Sequence, residues 1–117
     1  MKTILIVEDI ELNIDLLTQI LEEDYNLLVA KDGAQGVAFA EQHKPDLVLM
    51  DISLPIMDGY EATRRIRAEF PSMPIIGISA HAMSGDDGKA IAAGCTDYLT
   101  KPIDENLLVK KLKDYLE

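Results

Sequence analysis

Cysteine is almost missing from this chain. Cys95 is the only one, which excludes an internal disulfide and any cysteine-rich metal site. Histidine is nearly as scarce, and His43 and His81 lack the spacing of a zinc pair. Basic residues are outnumbered by acidic ones, 11 to 21, for a net charge of −10. That balance argues against sequence-independent binding to nucleic acid or to an anionic membrane surface. No apolar run approaches the roughly 20 residues of a membrane span. The N-terminal segment Met1–Val7 carries one basic residue and runs straight into Glu8-Asp9. It is not a signal peptide, and a cytoplasmic protein is expected. Nucleotide-binding loops are absent too. Gly88-Lys89 is followed by Ala90, with Met83 where a P-loop needs its first glycine. There is no G-x-G-x-x-G and no G-x-S-x-G, nor any linker, internal repeat or low-complexity tract.

What remains is a compositionally ordinary globular domain: 117 residues, 48% apolar and 27% charged. Its pattern alternates strand and helix five times. Thr3–Val7 is a continuous apolar strand, followed by a helix from about Glu11 to Glu23 with Ile10, Ile14, Leu17 and Leu21 on one stripe. Leu27–Ala30 is a weaker strand, and Asp32-Gly33-Ala34-Gln35 has the form of a capping box opening a helix to about His43, with Ala34, Val37 and Ala38 inward. Lys44-Pro45 ends that helix before the strand Asp46–Met50. A second capping box, Asp58-Gly59-Tyr60-Glu61, opens a helix with Ala62, Ile66 and Phe70 inward. Ile75–Ser79 is the fourth strand. Ser84 to about Ala93 is a poor helix, weakened by Gly85 and Gly88, with Gly94 as its C-terminal cap. Asp97–Thr100 is the fifth strand, and Asp104 caps a last helix with Leu108, Leu112, Tyr115 and Leu116 toward the core. Strands beginning near residues 3, 26, 46, 74 and 97 describe a (βα)5 doubly wound α/β domain.

Right-handed crossovers make five such strands parallel and bring their carboxyl ends to one edge, where open α/β sheets bind ligands. That edge collects Glu8, Asp9, Asp51, Ser79 and Lys101. Clustered carboxylates in low dielectric repel unless a proton or a cation joins them. A hard divalent ion with oxygen ligands fits, and Mg²⁺ prefers one or two carboxylates with waters and a phosphate. Lys101 adds a positive charge for an anion and Ser79 a hydroxyl, so the set reads as a phosphoryl-handling site.

Ile6-Val7-Glu8-Asp9, Leu49-Met50-Asp51-Ile52-Ser53-Leu54-Pro55-Ile56-Met57-Asp58-Gly59, Ser79-Ala80 and Tyr98-Leu99-Thr100-Lys101-Pro102 together resemble the receiver domain of two-component response regulators. The motifs run in order over the whole chain. The resemblance implies a flavodoxin-like sheet of order 2-1-3-4-5, a common order among doubly wound folds, and a receiver spanning 1–117 with no output domain. It implies Asp51 as phosphoacceptor and Asp9 as Mg²⁺ ligand, assisted by Asp51 and the Ser53 carbonyl, with Glu8 acting through water. Lys101 would pair with the phosphoryl group, Ser79 would be the switch hydroxyl and Tyr98 the aromatic that reports its movement. Ser79 stands where threonine is commoner, and Ile10 where related receivers often carry a polar residue. Lys101-Pro102 is expected to be cis, and His81 to border the phosphoryl pocket. The implied partners are a sensor histidine kinase or histidine phosphotransfer protein and a downstream protein, with the chain a monomer or weak dimer.

Two other classes share parts of this pattern. A haloacid dehalogenase-type phosphatase also uses a strand-end Asp, but needs a second Asp two residues on, where Ser53 stands. A flavodoxin-like cofactor binder needs a phosphate-cradling loop, and the acid cluster would repel FMN. A receiver excised from a hybrid kinase or larger regulator has the same sequence features as a free-standing one.

Overall fold

The structure is a computed structural model that describes residues 1–79 and 86–117, with Asp86 and Asp87 as backbone only. Ten elements alternate strictly: β1 Thr3–Val7, α1 Glu11–Leu21, β2 Asn26–Ala30, α2 Gly33–His43, β3 Leu47–Asp51, α3 Gly59–Glu69, β4 Ile75–Ser79, α4 Asp86–Ala93, β5 Asp97–Thr100 and α5 Glu105–Leu116. The five strands form one parallel sheet in the order β2-β1-β3-β4-β5. Because the inner strands face helices on both sides, their residues are mostly apolar in succession, and β3 and β4 are buried along their full length. Alternate residues serve two cores. Ile4, Ile6, Leu47, Leu49, Ile76 and Ile78 pack with Leu17 and Leu21 of α1 and Leu108, Leu112 and Leu116 of α5. Leu5, Val7, Val48, Met50 and Ile75 pack with Ala40 of α2, Ala62 and Ile66 of α3 and Ala90 of α4.

The caps form where the sequence places them. Asp32 accepts from Gln35 N at 2.7 Å, Asp58 from Glu61 N at 2.9 Å and Asp104 from Leu107 N at 3.2 Å. Gly94 has φ +117°, a left-handed turn after α4 that glycine adopts without strain. The Lys101-Pro102 bond is cis.

Three inward assignments differ. Ile10 is the N-cap of α1 and half exposed, so the buried stripe is Ile14, Leu17 and Leu21. Tyr115 is exposed, and its hydroxyl reaches Asp97 Oδ2 at 3.1 Å. In α2 the buried positions are Gly33, Gly36 and Ala40, while Ala34 is exposed. A Cβ on Gly36 would sit 3.0 Å from the Val7 methyls, so this helix approaches the sheet through glycines. Counting only apolar side chains misses such a face. His81 and the expected start of α4 at Ser84 lie outside the described residues.

Candidate phosphoacceptor and metal site

Each site residue is delivered by the carboxyl end of a strand. Asp51 is the last residue of β3, one place further into the strand than the sequence pattern suggested, and only 2% exposed. Glu8 and Asp9 follow β1, with Glu8 buried and Asp9 exposed. Ser79 ends β4 and is buried, and Lys101 follows β5. Parallel register aligns these ends: Val7 lies opposite Met50, Asp51 opposite Ile78 and Ser79 opposite Thr100. Lys101 N donates to Ser79 O at 2.8 Å, extending that pairing by one residue into the loop.

The carboxylates converge as expected. Oxygens of Glu8, Asp9 and Asp51 all lie within 4.8 Å of one another. Lys101 Nζ stands 3.4 Å from Asp51 Oδ2 and 3.5 Å from Glu8 Oε1. One cation thus faces two buried carboxylates. The other Asp51 oxygen, Oδ1, accepts from Ser53 N at 3.1 Å, which orients the carboxylate from the loop side. Glu8 Oε2 accepts from Asp9 N at 3.0 Å and Ile10 N at 3.2 Å, which fixes the turn that leads from β1 into α1. Burial raises the Glu8 pKa above the ordinary carboxylate range, and the neighbouring Asp51 carboxylate adds to the rise. The Ile10 amide and Lys101 pull the other way.

This donor set fits a hard divalent cation. Three carboxylates share a small volume, one of them opens to solvent, and the charge of Lys101 does not balance all three. Tyr98 is half-buried on β5 opposite Gly77, two residues before the Thr100–Ser79 pair, beside a groove that also includes Leu107 and Lys111. It is near the Ser79 position without being part of the acid cluster.

Comparison with known proteins agrees with this geometry. Residues 4–113 match the family model of the response regulator receiver domain. The chain belongs to that family. It is 36% identical to the polar-differentiation response regulator DivK of Brucella anthropi, over 98% of this chain and 96% of that protein. The receiver domain of the Pseudomonas aeruginosa sensor histidine kinase PA1611, solved with magnesium in its active-site cleft, is 38% identical with a TM-score of 0.91, covering 97% of this chain and 96% of that one. The receiver domain of Saccharomyces cerevisiae Ssk1, solved in complex with the histidine phosphotransfer protein Ypd1, is 30% identical with a TM-score of 0.91, covering 97% and 88%. The Glu8–Asp9–Asp51 cluster stands where a receiver holds its phosphoacceptor and Mg²⁺. The chain is a phosphoacceptor signalling domain that assists its own phosphorylation and dephosphorylation. No described helix is long and apolar enough to cross a membrane.

Two features of the site were not legible beforehand. One is the second contact of Lys101, to Glu8 as well as Asp51. The other is the backbone of the loop after β3, where Ile56 takes a positive φ of 68°. Pro55 and Gly59 signal a turn there, but not which residue carries the unusual conformation.

Proposed function

We propose that Asp51 accepts a phosphoryl group from the phosphohistidine of a sensor kinase or phosphotransfer protein, within a receiver unit that occupies residues 1–117. The observation that carries this reading is the Asp51 carboxylate, buried at the end of β3 with Lys101 Nζ at 3.4 Å and two further carboxylates close by. Asp9 and Asp51 would hold Mg²⁺ with the Ser53 carbonyl, and Glu8 through a water. When bound, the ion supplies positive charge against the phosphoryl oxygens.

The chain's own residues do the rest. An Asp51 oxygen attacks phosphorus as the P–N bond of phosphohistidine breaks, and the bonding electrons return to the imidazole nitrogen, which takes up a proton. Ser53 N–H fixes the rotation of the nucleophile. The Lys101 ammonium sits where charge gathers on the transferring group, which favours a transition state rich in negative charge. The aspartyl phosphate brings roughly two negative charges beside Lys101 and Ser79. Ser79 then turns its hydroxyl to a phosphoryl oxygen, and Tyr98 follows into the space vacated. That shift changes the face made by α4 and β5, where a downstream protein would read it. The Ssk1 receiver, solved in complex with the histidine phosphotransfer protein Ypd1, supports the partner class.

Incubation with acetyl phosphate and Mg²⁺ should add one phosphoryl group, read as a mass increase. Asp51→Asn should add none. Full labelling of that variant would move the acceptor to another carboxylate.

A further inference from the structure

The acid cluster lies at the carboxyl edge of the sheet, and the opposite edge holds a separate cavity. Its volume is about 380 Å³, within the range of small-ligand pockets. It lies between α1 and α5, toward the C-terminal ends of both, with Lys2 before β1 and Tyr25 before β2 also in its wall. Ile20, Leu21 and Val109 make its apolar side. Tyr25 is the unusual member. It is 8% exposed and packs in the core shared by α1 and α5, yet its hydroxyl has no hydrogen-bond partner among the described residues. Buried hydroxyls are normally paired, because an unpaired one forfeits its hydration. The Tyr25 oxygen is not sealed away from solvent, and the cavity is the space that Tyr25 lines. Its partner therefore has to come from the cavity.

The electrostatics around that oxygen indicate what kind of partner fits. Burial and the carboxylates of Glu117 and Asp24 push the Tyr25 pKa above the ordinary phenol value. Neither carboxylate forms an ion pair among the described residues, although Lys2 and Lys113 stand at the same cavity. Helix ends add to the negative field: α1 finishes here with no basic residue in its last turn, and α5 finishes at Leu116. A hydrated metal ion is a poor match, because two carboxylates beside an aliphatic wall leave it short of oxygen ligands. A cation that carries its own apolar surface matches both halves of the cavity. We propose that this cavity binds a small organic ammonium ion, its N–H donating to the Tyr25 hydroxyl oxygen near Asp24 and Glu117 and its apolar body lying against Ile20, Leu21 and Val109. The site is independent of the phosphoacceptor reading of Asp51.

The test titrates the full chain with three probes of one shape, followed by amide NMR. Phenethylamine is the cation, phenethyl alcohol its neutral match and hydrocinnamate its anionic one. Excess Mg²⁺ is present throughout, so that the acid cluster at the other edge does not compete for the amine. Phenethylamine should shift the amides of Leu21, Tyr25 and Lys113 and saturate at millimolar concentration or below. The alcohol should bind several-fold more weakly, and hydrocinnamate more weakly still. Tyr25→Phe keeps the ring and removes only the oxygen, and Asp24→Asn keeps the shape and removes the charge. Each should weaken phenethylamine by roughly three- to tenfold, and the amine should raise the melting temperature of wild type more than that of either variant. Equal binding of alcohol and amine overturns the proposal, since the cavity would then be an apolar crevice. Preference for hydrocinnamate overturns it in favour of Lys2 and Lys113 as the recognising groups. Shifts confined to the Glu8, Asp9 and Asp51 edge, or no saturation at millimolar concentration, also overturn it, as does undiminished amine binding by the variants. If Tyr25→Phe does not fold, Asp24→Asn and the three-probe comparison on wild type still decide.

Discussion

Lys101 is the only cation in contact with two buried carboxylates among the described residues. It has two separable effects. In the resting protein it offsets part of the repulsion between Glu8 and Asp51, and in the proposed transfer it would meet the charge of the phosphoryl group. Lys101→Met should therefore slow labelling by acetyl phosphate by roughly 10²-fold, the usual consequence of deleting one charge-stabilising group. The same variant should melt below wild type in EDTA, since it leaves two buried acids without their partner. Stopped-flow labelling and thermal melts read the two effects independently. Asp51 and Lys101 could be picked out of the sequence because each stands at or just past the end of a recognisable strand, beside a proline-containing loop. The bridging position of Lys101 could not, because it depends on how far β5 lies from β1 across the intervening strands.

At the scale of elements, a set of polar contacts ties α3 to the turn between α4 and β5, beside the buried apolar cluster that includes Ala62, Ile66, Ala90 and Cys95. Arg67, in the last turn of α3, donates to Gly94 O at 2.9 Å, to Phe70 O and Pro71 O, and to Thr96 Oγ1 at 3.1 Å. Thr96 Oγ1 also accepts from Ile75 N at the start of β4. The turn between α4 and β5 is thus tied to α3 and β4, while Ala90 and Ala93 of α4 are buried beside it. On the outer side, Asp97 accepts from Lys111 at 2.8 Å and from Tyr115 at 3.1 Å, joining β5 to α5. Burial pushes the Asp97 pKa up, but Lys111, the Tyr98 amide and the Tyr115 hydroxyl outweigh it and hold the pKa below the ordinary value. A depressed carboxylate pKa means that the stabilisation is present above the unfolded value, about 3.9, and is lost as pH falls through the folded one. Lys111→Ala should cost roughly 1 kcal/mol at pH 7. Its difference from wild type should shrink as the pH falls below about 3.9, as urea unfolding at pH 7 and in acid would show. A deficit that persists unchanged in acid would mean that Lys111 acts through packing of its stem instead.

At the scale of the whole molecule, folding itself creates the acid cluster. Unfolding lets Glu8, Asp9 and Asp51 separate, so a cation that binds only the folded state stabilises it. Mg²⁺ at tenfold its Kd should contribute about 1.4 kcal/mol, or about 3–6 °C in melting temperature for a domain of this size. Asp9→Asn should raise the melting temperature in EDTA and remove most of the Mg²⁺-dependent rise. Asp58→Asn carries the same charge change at the cap of α3, where asparagine caps as well, and should keep the full Mg²⁺ response. Thermal melts with EDTA and with excess Mg²⁺ decide between ligand and bystander.

Local chemistry in the sequence was enough to determine the alternation of five strands and five helices, the three aspartate caps, the turn at Gly94 and the residues that end four of the five strands. Period-2 and period-3.6 patterns, proline stops and capping residues act over a few positions and can be read there. Once the strands are parallel, chain geometry brings their carboxyl ends together, so most of the site was also legible. Tertiary structure alone decided what depends on approach through space. It turned α2 onto the sheet by Gly33 and Gly36 instead of Ala34, because only residues without side chains let the helix and the loop at Met57 come so close. It sent Tyr115 outward to Asp97, since that carboxylate offers a polar partner at the edge of the sheet. It also placed the positive φ on Ile56, because the loop is wedged between α2 and β3 and must turn within three residues.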